Sequence, residues 1–169
     1  GKTTTLAAVI NHINRTRRQH IVTIEDPIEI LHEDVACIVN QPRVGLDTES
    51  YMEALRRVLR QDPDVILIGE LRDEESAKAA LQAAESGHFV LSTMHTIDAA
   101  ETIGRLVEFF PPGKQQMTRQ IIAGVLRGVV SQRLLPKKGG GRVAAVEVMV
   151  NTARIAELIR DGETDKITE

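Results

Sequence analysis

The chain opens with Gly1-Lys2-Thr3-Thr4, residue types that match the end of the phosphate-binding loop G-x-x-x-x-G-K-[ST]. In such a loop, backbone N–H groups and a helix N-terminus hold phosphates. The Lys reaches the β and γ phosphates, and the Thr hydroxyl binds Mg²⁺. Taken alone, the tripeptide also reads as an ordinary helix start with a Thr cap, so its neighbours decide. As a loop it begins at the second glycine, which predicts that G-x-x-x-x precedes Gly1 in the complete protein.

Further groups with chemical potential follow downstream. Asp64, four apolar residues, then Gly69-Glu70 resembles a Walker B strand, whose terminal carboxylate sits beside Mg²⁺ and orients or deprotonates water. The alternative is a buried strand ending in a solvated Glu. Glu25, Asp26 and Glu29 crowd one short stretch around Pro27. They read as metal or water coordination, or as a polar turn closed by the proline. His95 reads either as a γ-phosphate contact or as the cap of the helix that starts near Asp98. Arg56, Arg57 and Arg60 read as a solvated face, or as groups reaching a neighbouring subunit's nucleotide.

Those groups need elements to position them. Thr3 to about Arg18 has helical spacing in Leu6, Ile10 and Ile13, with Arg15, Arg17 and Arg18 at its C-terminal end. Ile21–Ile24 and Val65–Ile68 are apolar, β-branched runs suited to strands buried on both faces. Ala36–Val39 and Phe89–Met94 are further strand candidates. Helices are predicted over Ser50–Arg60, Glu74–Ser86 with Gly87 as the C′ residue, and around Ile103, Leu106 and Val107. The last has capping-box spacing at Asp98–Glu101 and is broken by Pro111-Pro112. A further helix is predicted over Gln115–Val130. Gly139-Gly140-Gly141 marks a hairpin turn between Ser131–Leu135 and Val143–Val150. Thr152 caps a last helix ending near Gly162.

Strands alternating with helices over residues 1–110 predict an α/β fold with a parallel sheet flanked by helices, to which the hairpin and final helices are additions. In such sheets ligands bind beyond the carboxyl ends of the strands. Glu25, Glu29, Glu70 and His95 all follow predicted strands, so they would share one edge with Lys2 and Thr3. His88 begins its strand and would lie at the opposite edge.

Composition narrows the function classes. Net charge is −3 and aromatic content 2%, which argue against a nucleic-acid-binding surface. Cys37 is the sole cysteine, so a cysteine-based zinc site is excluded, as is a disulfide within the chain. No apolar run approaches the ~20 residues of a membrane span.

Taken in order, the motifs resemble those of the secretion and type IV pilus motor ATPases. Gly1-Lys2-Thr3-Thr4-Thr5 is similar to the end of their Walker A. Thr23-Ile24-Glu25-Asp26-Pro27-Ile28-Glu29 is similar to their aspartate box. Asp64–Glu70, continuing Leu71-Arg72-Asp73, is similar to their Walker B, and Gly87-His88 through Met94-His95-Thr96 to their histidine box. Within the family, Ser131-Gln132-Arg133-Leu134-Leu135 and Gly139–Glu147 resemble the pilus retraction branch. So do Ile155, Leu158, Ile159 and Arg160 of its A-I-R-N-L-I-R-E element, where this chain has Ala156, Glu157 and Asp161 in place of Arg, Asn and Glu.

The resemblance implies a RecA-like P-loop core over residues 1–169, cut inside Walker A and lacking the family's N-terminal PAS-like domain. It implies ATP and Mg²⁺ as ligands. Gly1, Lys2, Thr3 and Thr4 would bind nucleotide, with Glu25 and His88 contributing, and Thr3 and Glu29 would hold the metal. Glu70, Glu29 and His95 would be catalytic. It further implies a cytoplasmic homo-hexamer, peripheral at a bacterial inner membrane. That motor would work on the pilus machine's membrane platform and, through it, on pilin, retracting the pilus in twitching motility. Alternatives are an assembly or type II secretion ATPase of the same fold, a non-hydrolysing nucleotide-binding scaffold, and a DNA-translocating motor.

Overall fold

The computed structural model describes residues 1–42 and 51–168, which form two compact units, Lys2–Met94 and the residues from His95 onward together with Gly1. Ser50, expected to begin a helix, lies outside the described residues.

In the first unit the order is α1 (Lys2–Thr16), β1 (His20–Ile24), β2 (Ile38–Asn40), α2 (Tyr51–Leu59), β3 (Val65–Ile68), α3 (Glu74–Glu85) and β4 (Phe89–Ser92). The strands form one sheet in the order β2-β1-β3-β4, and every pairing is parallel. β1 and β3 are central, and this is why their apolar runs do not alternate with polar residues. Ile21, Val65 and Leu67 pack with Ile10 and Cys37, and Leu6 and Ile13 extend that contact, so α1 covers one face. Val22, Ile24, Ile66 and Ile68 alternate to the other face and are no more than 2% exposed. α2 and α3 pack on each other and on β1 and β4 respectively.

Asp73 starts α3 with a full capping box. Its carboxylate accepts from the Ser76 N–H at 2.8 Å, and the Ser76 hydroxyl accepts from the Asp73 N–H at 3.3 Å. Gly87, at φ 96°, follows the helix end as expected. β2 is shifted from the predicted Ala36–Val39. The N–H groups of Ala36 and Cys37 are taken by Asn14 of α1, through its carbonyl oxygen and its side-chain oxygen, so sheet pairing begins only at Ile38.

The second unit holds α4 (Ala99–Glu108), α5 (Pro112–Val125), β5 (Gly128–Pro136), β6 (Arg142–Val150), α6 (Ala153–Asp161) and a closing 3-10 turn (Thr164–Thr168). β5 and β6 make the expected antiparallel hairpin, with Gly139, Gly140 and Gly141 all at positive φ in its turn. The expected helix over Gln115–Val130 is corrected. It runs from Pro112, a favourable first helical residue, and stops at Val125. The Asn151 side-chain amide donates to the Ala123 and Leu126 carbonyls at 3.1 and 2.9 Å, closing the helix. Gly128, Val129 and Val130 then pair with Val150, Met149 and Val148. Asp98 caps α4 by accepting from the Glu101 N–H at 2.8 Å. Glu101, however, accepts from the Ile97 N–H rather than from Asp98, so the box is incomplete. Thr152 and Gly162 bound α6 as expected.

Candidate active site

The sheet order sets the place. β1 leads to β2 on one side and β3 to β4 on the other, so the chain reverses direction between β1 and β3. Ligands of open parallel sheets bind at such a switch point, outside the carboxyl ends. The two strands run level there, Ile24 opposite Ile68, and the Gly69 N–H donates to the Ile24 carbonyl at 2.9 Å. The next residues, Glu25 and Glu70, leave the sheet at the same edge.

A cleft of about 90 Å³ opens there. Its lining includes Thr3 from the first turn of α1, Glu25, Asp26 and Glu29 from the segment after β1, and Glu70 after β3. The space suits water or an ion, and is small beside the ~300–1,000 Å³ of whole-ligand pockets. Of the residues expected to do chemistry, Thr3, Glu25, Glu29 and Glu70 are thus brought together. A hydroxyl and carboxylates are hard oxygen donors of the kind Mg²⁺ takes. Among the described residues no group of three or more His, Cys, Asp or Glu side chains is gathered to hold a metal ion, whereas Mg²⁺ usually needs only one or two carboxylates beside substrate phosphates.

Lys2 reaches the same edge from α1. Its ammonium donates to the Met94 carbonyl, just past β4, at 2.9 Å. No acidic residue sits in the first turn of α1 itself, so the helix contributes no carboxylate of its own against the partial positive charge at its terminus. Thr4, two residues after Lys2, is exposed. Gly1 groups with the second unit.

Glu70 is held from two directions. Its Oε2 accepts from Arg72 Nε at 3.0 Å. Its backbone neighbours are fixed across to the segment after β4, where the Thr93 hydroxyl donates to the Gly69 carbonyl at 2.7 Å and the Leu71 N–H donates to the Thr93 carbonyl at 3.0 Å. Asp64, the other end of the Walker B-like run, lies at the opposite edge. It accepts from the His20 N–H at 2.8 Å and its backbone joins His20 and Phe89, a sheet-closing role.

The histidines separate. His88 precedes β4, at the edge away from the cleft, with Nδ1 3.0 Å from the Ala83 carbonyl. His95 is exposed, belongs to the second unit and precedes α4. Asp98, not His95, supplies the cap of that helix.

Sequence reasoning missed His32. It lines the cleft, and burial pushes its imidazole below the usual range, a shift that the nearby Glu25 carboxylate only partly opposes. It is therefore neutral at neutral pH. Its spacing after Glu25 and Glu29, in a segment without helical or strand periodicity, was the only signal in the chain.

The profile of a family described as type II/IV secretion system protein matches residues 1–139. The chain belongs to that family. This secretion-system family member is 51% identical, over its whole length, to the type IV pilus retraction ATPase PilT of Pseudomonas aeruginosa, covering 48% of that protein. It is 46% identical to the twitching motility protein of Neisseria gonorrhoeae, with 99% of the chain and 45% of the relative covered. Among solved structures, the pilus retraction motor PilT with bound ADP matches with a TM-score of 0.95 at 49% identity, covering 99% of this chain and 49% of that one. The chain thus spans about half the length of the curated relatives it matches.

Proposed function

We propose that the complete protein is an ATP-hydrolysing motor that powers type IV pilus retraction. The observation that carries the reading is the convergence of Thr3, Glu25, Glu29 and Glu70 on one cleft at the switch point of a parallel sheet, with Lys2 at the same edge. Over almost the whole chain, the relatives named for retraction and twitching are 51% and 46% identical, against 39% for a type II secretion system protein E, which favours retraction over secretion.

In this reading the α1 terminus and Lys2 bind the nucleotide phosphates. The ammonium has three donors, so it serves a phosphate while keeping the Met94 carbonyl. Glu70 orients a water in line with the γ phosphorus and accepts its proton as the new P–O bond forms and the bond to the leaving oxygen breaks. Glu29 and Glu25 hold that water and its surroundings. Thr3 and Glu29 are the residues to hold Mg²⁺, which when bound supplies neutralising charge at the phosphates. His95 contacts the γ phosphate, whereas His88, at the amino end of β4 and bonded to the Ala83 carbonyl, serves the packing of that edge.

We further infer that residues before Gly1 complete the phosphate loop and that a PAS-like domain precedes it. The working form is a cytoplasmic hexamer at the inner-membrane face, acting on a membrane platform and through it on pilin. Among the described residues no helix is long and apolar enough to cross a membrane.

Steady-state phosphate release from ATP by the complete protein tests the reaction. Nucleotide binding without turnover would make the protein a scaffold instead. A deletion strain should keep its pili and lose retraction; loss of pili would assign the motor to assembly.

A further inference from the structure

The segment between β1 and β2 carries three of the cleft's four carboxylates, Glu25, Asp26 and Glu29, yet residues 26–37 form neither helix nor strand. Unpaired backbone groups in such a segment need partners, and two side-chain amides supply several of them. Asn14, 2% exposed, grips the far part. Its Nδ2 donates to the Glu33 carbonyl at 2.7 Å, and its Oδ1 accepts from the Val35 and Cys37 N–H groups at 3.2 Å.

Gln41, just beyond β2, grips the part at the cleft. Its Oε1 accepts from the His32 N–H at 2.8 Å, and its Nε2 donates to the Ile30 carbonyl at 3.1 Å. One amide thereby bridges the backbone on either side of Leu31. Ile30 and His32 both line the cleft, while Leu31 between them is 80% exposed. The pair of bonds restrains the rotation of this irregular stretch, and with it the direction in which the adjoining Glu29 leaves the backbone.

We propose that Gln41 is a positioning residue for hydrolysis, holding the Glu29–His32 stretch so that Glu29 faces the cleft opposite Glu70. The inference rests on the ATP-hydrolysis reading above. Gln41 touches no reacting atom, so its loss should act on turnover rather than on nucleotide affinity, which resides in Lys2 and the α1 terminus.

The test uses the complete protein in four forms: wild type, Gln41→Leu, Gln41→Glu and Glu70→Gln. Gln41→Leu should lower kcat about tenfold to a hundredfold while moving KM for ATP by less than about threefold, the pattern of a misaligned but still binding site. Hydrogen exchange at the His32 amide should quicken in the same variant. Gln41→Glu distinguishes positioning from general stability. Its carboxylate cannot donate to the Ile30 carbonyl, whereas the protonated acid can, so its kcat relative to wild type should rise as pH is lowered from about 8 towards the ordinary Glu range near ~4.3. A Gln41→Leu protein with wild-type kcat, or a Gln41→Glu profile parallel to wild type, would overturn the inference. An inactive wild type overturns the proposed function, and this inference with it. An active wild type beside an inactive Glu70→Gln leaves that function standing whatever Gln41 does.

Discussion

Arg72 Nε donates to Glu70 Oε2 at 3.0 Å, although the two residues lie past the end of β3 in a stretch with no regular structure. The guanidinium is 64% exposed and the carboxylate 23%, so the pair lies at the mouth of the cleft. Exposed pairs of this kind add only about 0–1 kcal/mol to stability. The contact matters for aim, because it engages one oxygen of the proposed water-orienting carboxylate. Arg72→Ala should leave the melting temperature of the complete protein within about 2 °C of wild type and lower kcat for ATP roughly three- to tenfold. Calorimetry and phosphate release on the same preparation check both halves.

Asn14 presents the opposite case, a buried amide whose partners are all backbone groups of the segment behind the cleft. Asn14→Leu removes the partners and leaves the Glu33 carbonyl and the Val35 and Cys37 N–H groups to fend for themselves. At about 1–3 kcal/mol for each buried group left unpaired, and allowing for partial hydration, the loss should be about 2–4 kcal/mol. Urea unfolding followed by circular dichroism measures it.

Asp73 makes a pH-dependent contribution. Hydrogen bonds from the Ser76 backbone N–H and hydroxyl hold its carboxyl below the usual range. A depressed folded-state pKa means that the ionised cap stabilises fully above the unfolded value near ~3.9 and ceases to do so as pH falls through the folded value. Asp73→Ala should cost about 1 kcal/mol at neutral pH. The difference from wild type should hold steady down to about pH 5 and shrink below about pH 4. Urea midpoints for both proteins across that range check the sign.

At Gly128 the backbone of β6 leaves no space for a side chain. A Cβ there would stand 2.6 Å from the Met149 carbonyl oxygen, a contact that only backbone movement relieves. Gly128→Ala should destabilise by about 1–3 kcal/mol through overpacking. Gly139→Ala, in the turn with open space around it but φ of 92°, should instead cost about 1 kcal/mol from backbone strain alone. Thermal unfolding of the two variants separates the causes.

Much of the cleft was legible because its carboxylates follow apolar runs. Ile21–Ile24 and Val65–Ile68 read as central strands, and a central parallel strand delivers its next residue to the ligand edge, so Glu25 and Glu70 could be placed together from the chain alone. What escaped was set by contacts distant in sequence. Ala36 and Cys37 look like strand residues, but Asn14 takes their N–H groups from another element. Val129 and Val130 extend a helical pattern, but Met149 and Val148 offer them a ladder, and Asn151 closes the helix first. A polar residue on the covered side of a helix is the kind of signal that marks Asn14, one turn past Ile10 in α1. Gln41 and His32 had no such signal, because a side chain that serves an irregular segment leaves no periodicity.

The most direct measurement is turnover by Glu70→Gln in the complete protein. The amide keeps the shape of the carboxylate and cannot accept a proton, so ATP binding should persist while kcat falls by about a hundredfold or more. Turnover at the wild-type rate would contradict the role of Glu70 and the account of the cleft built around it.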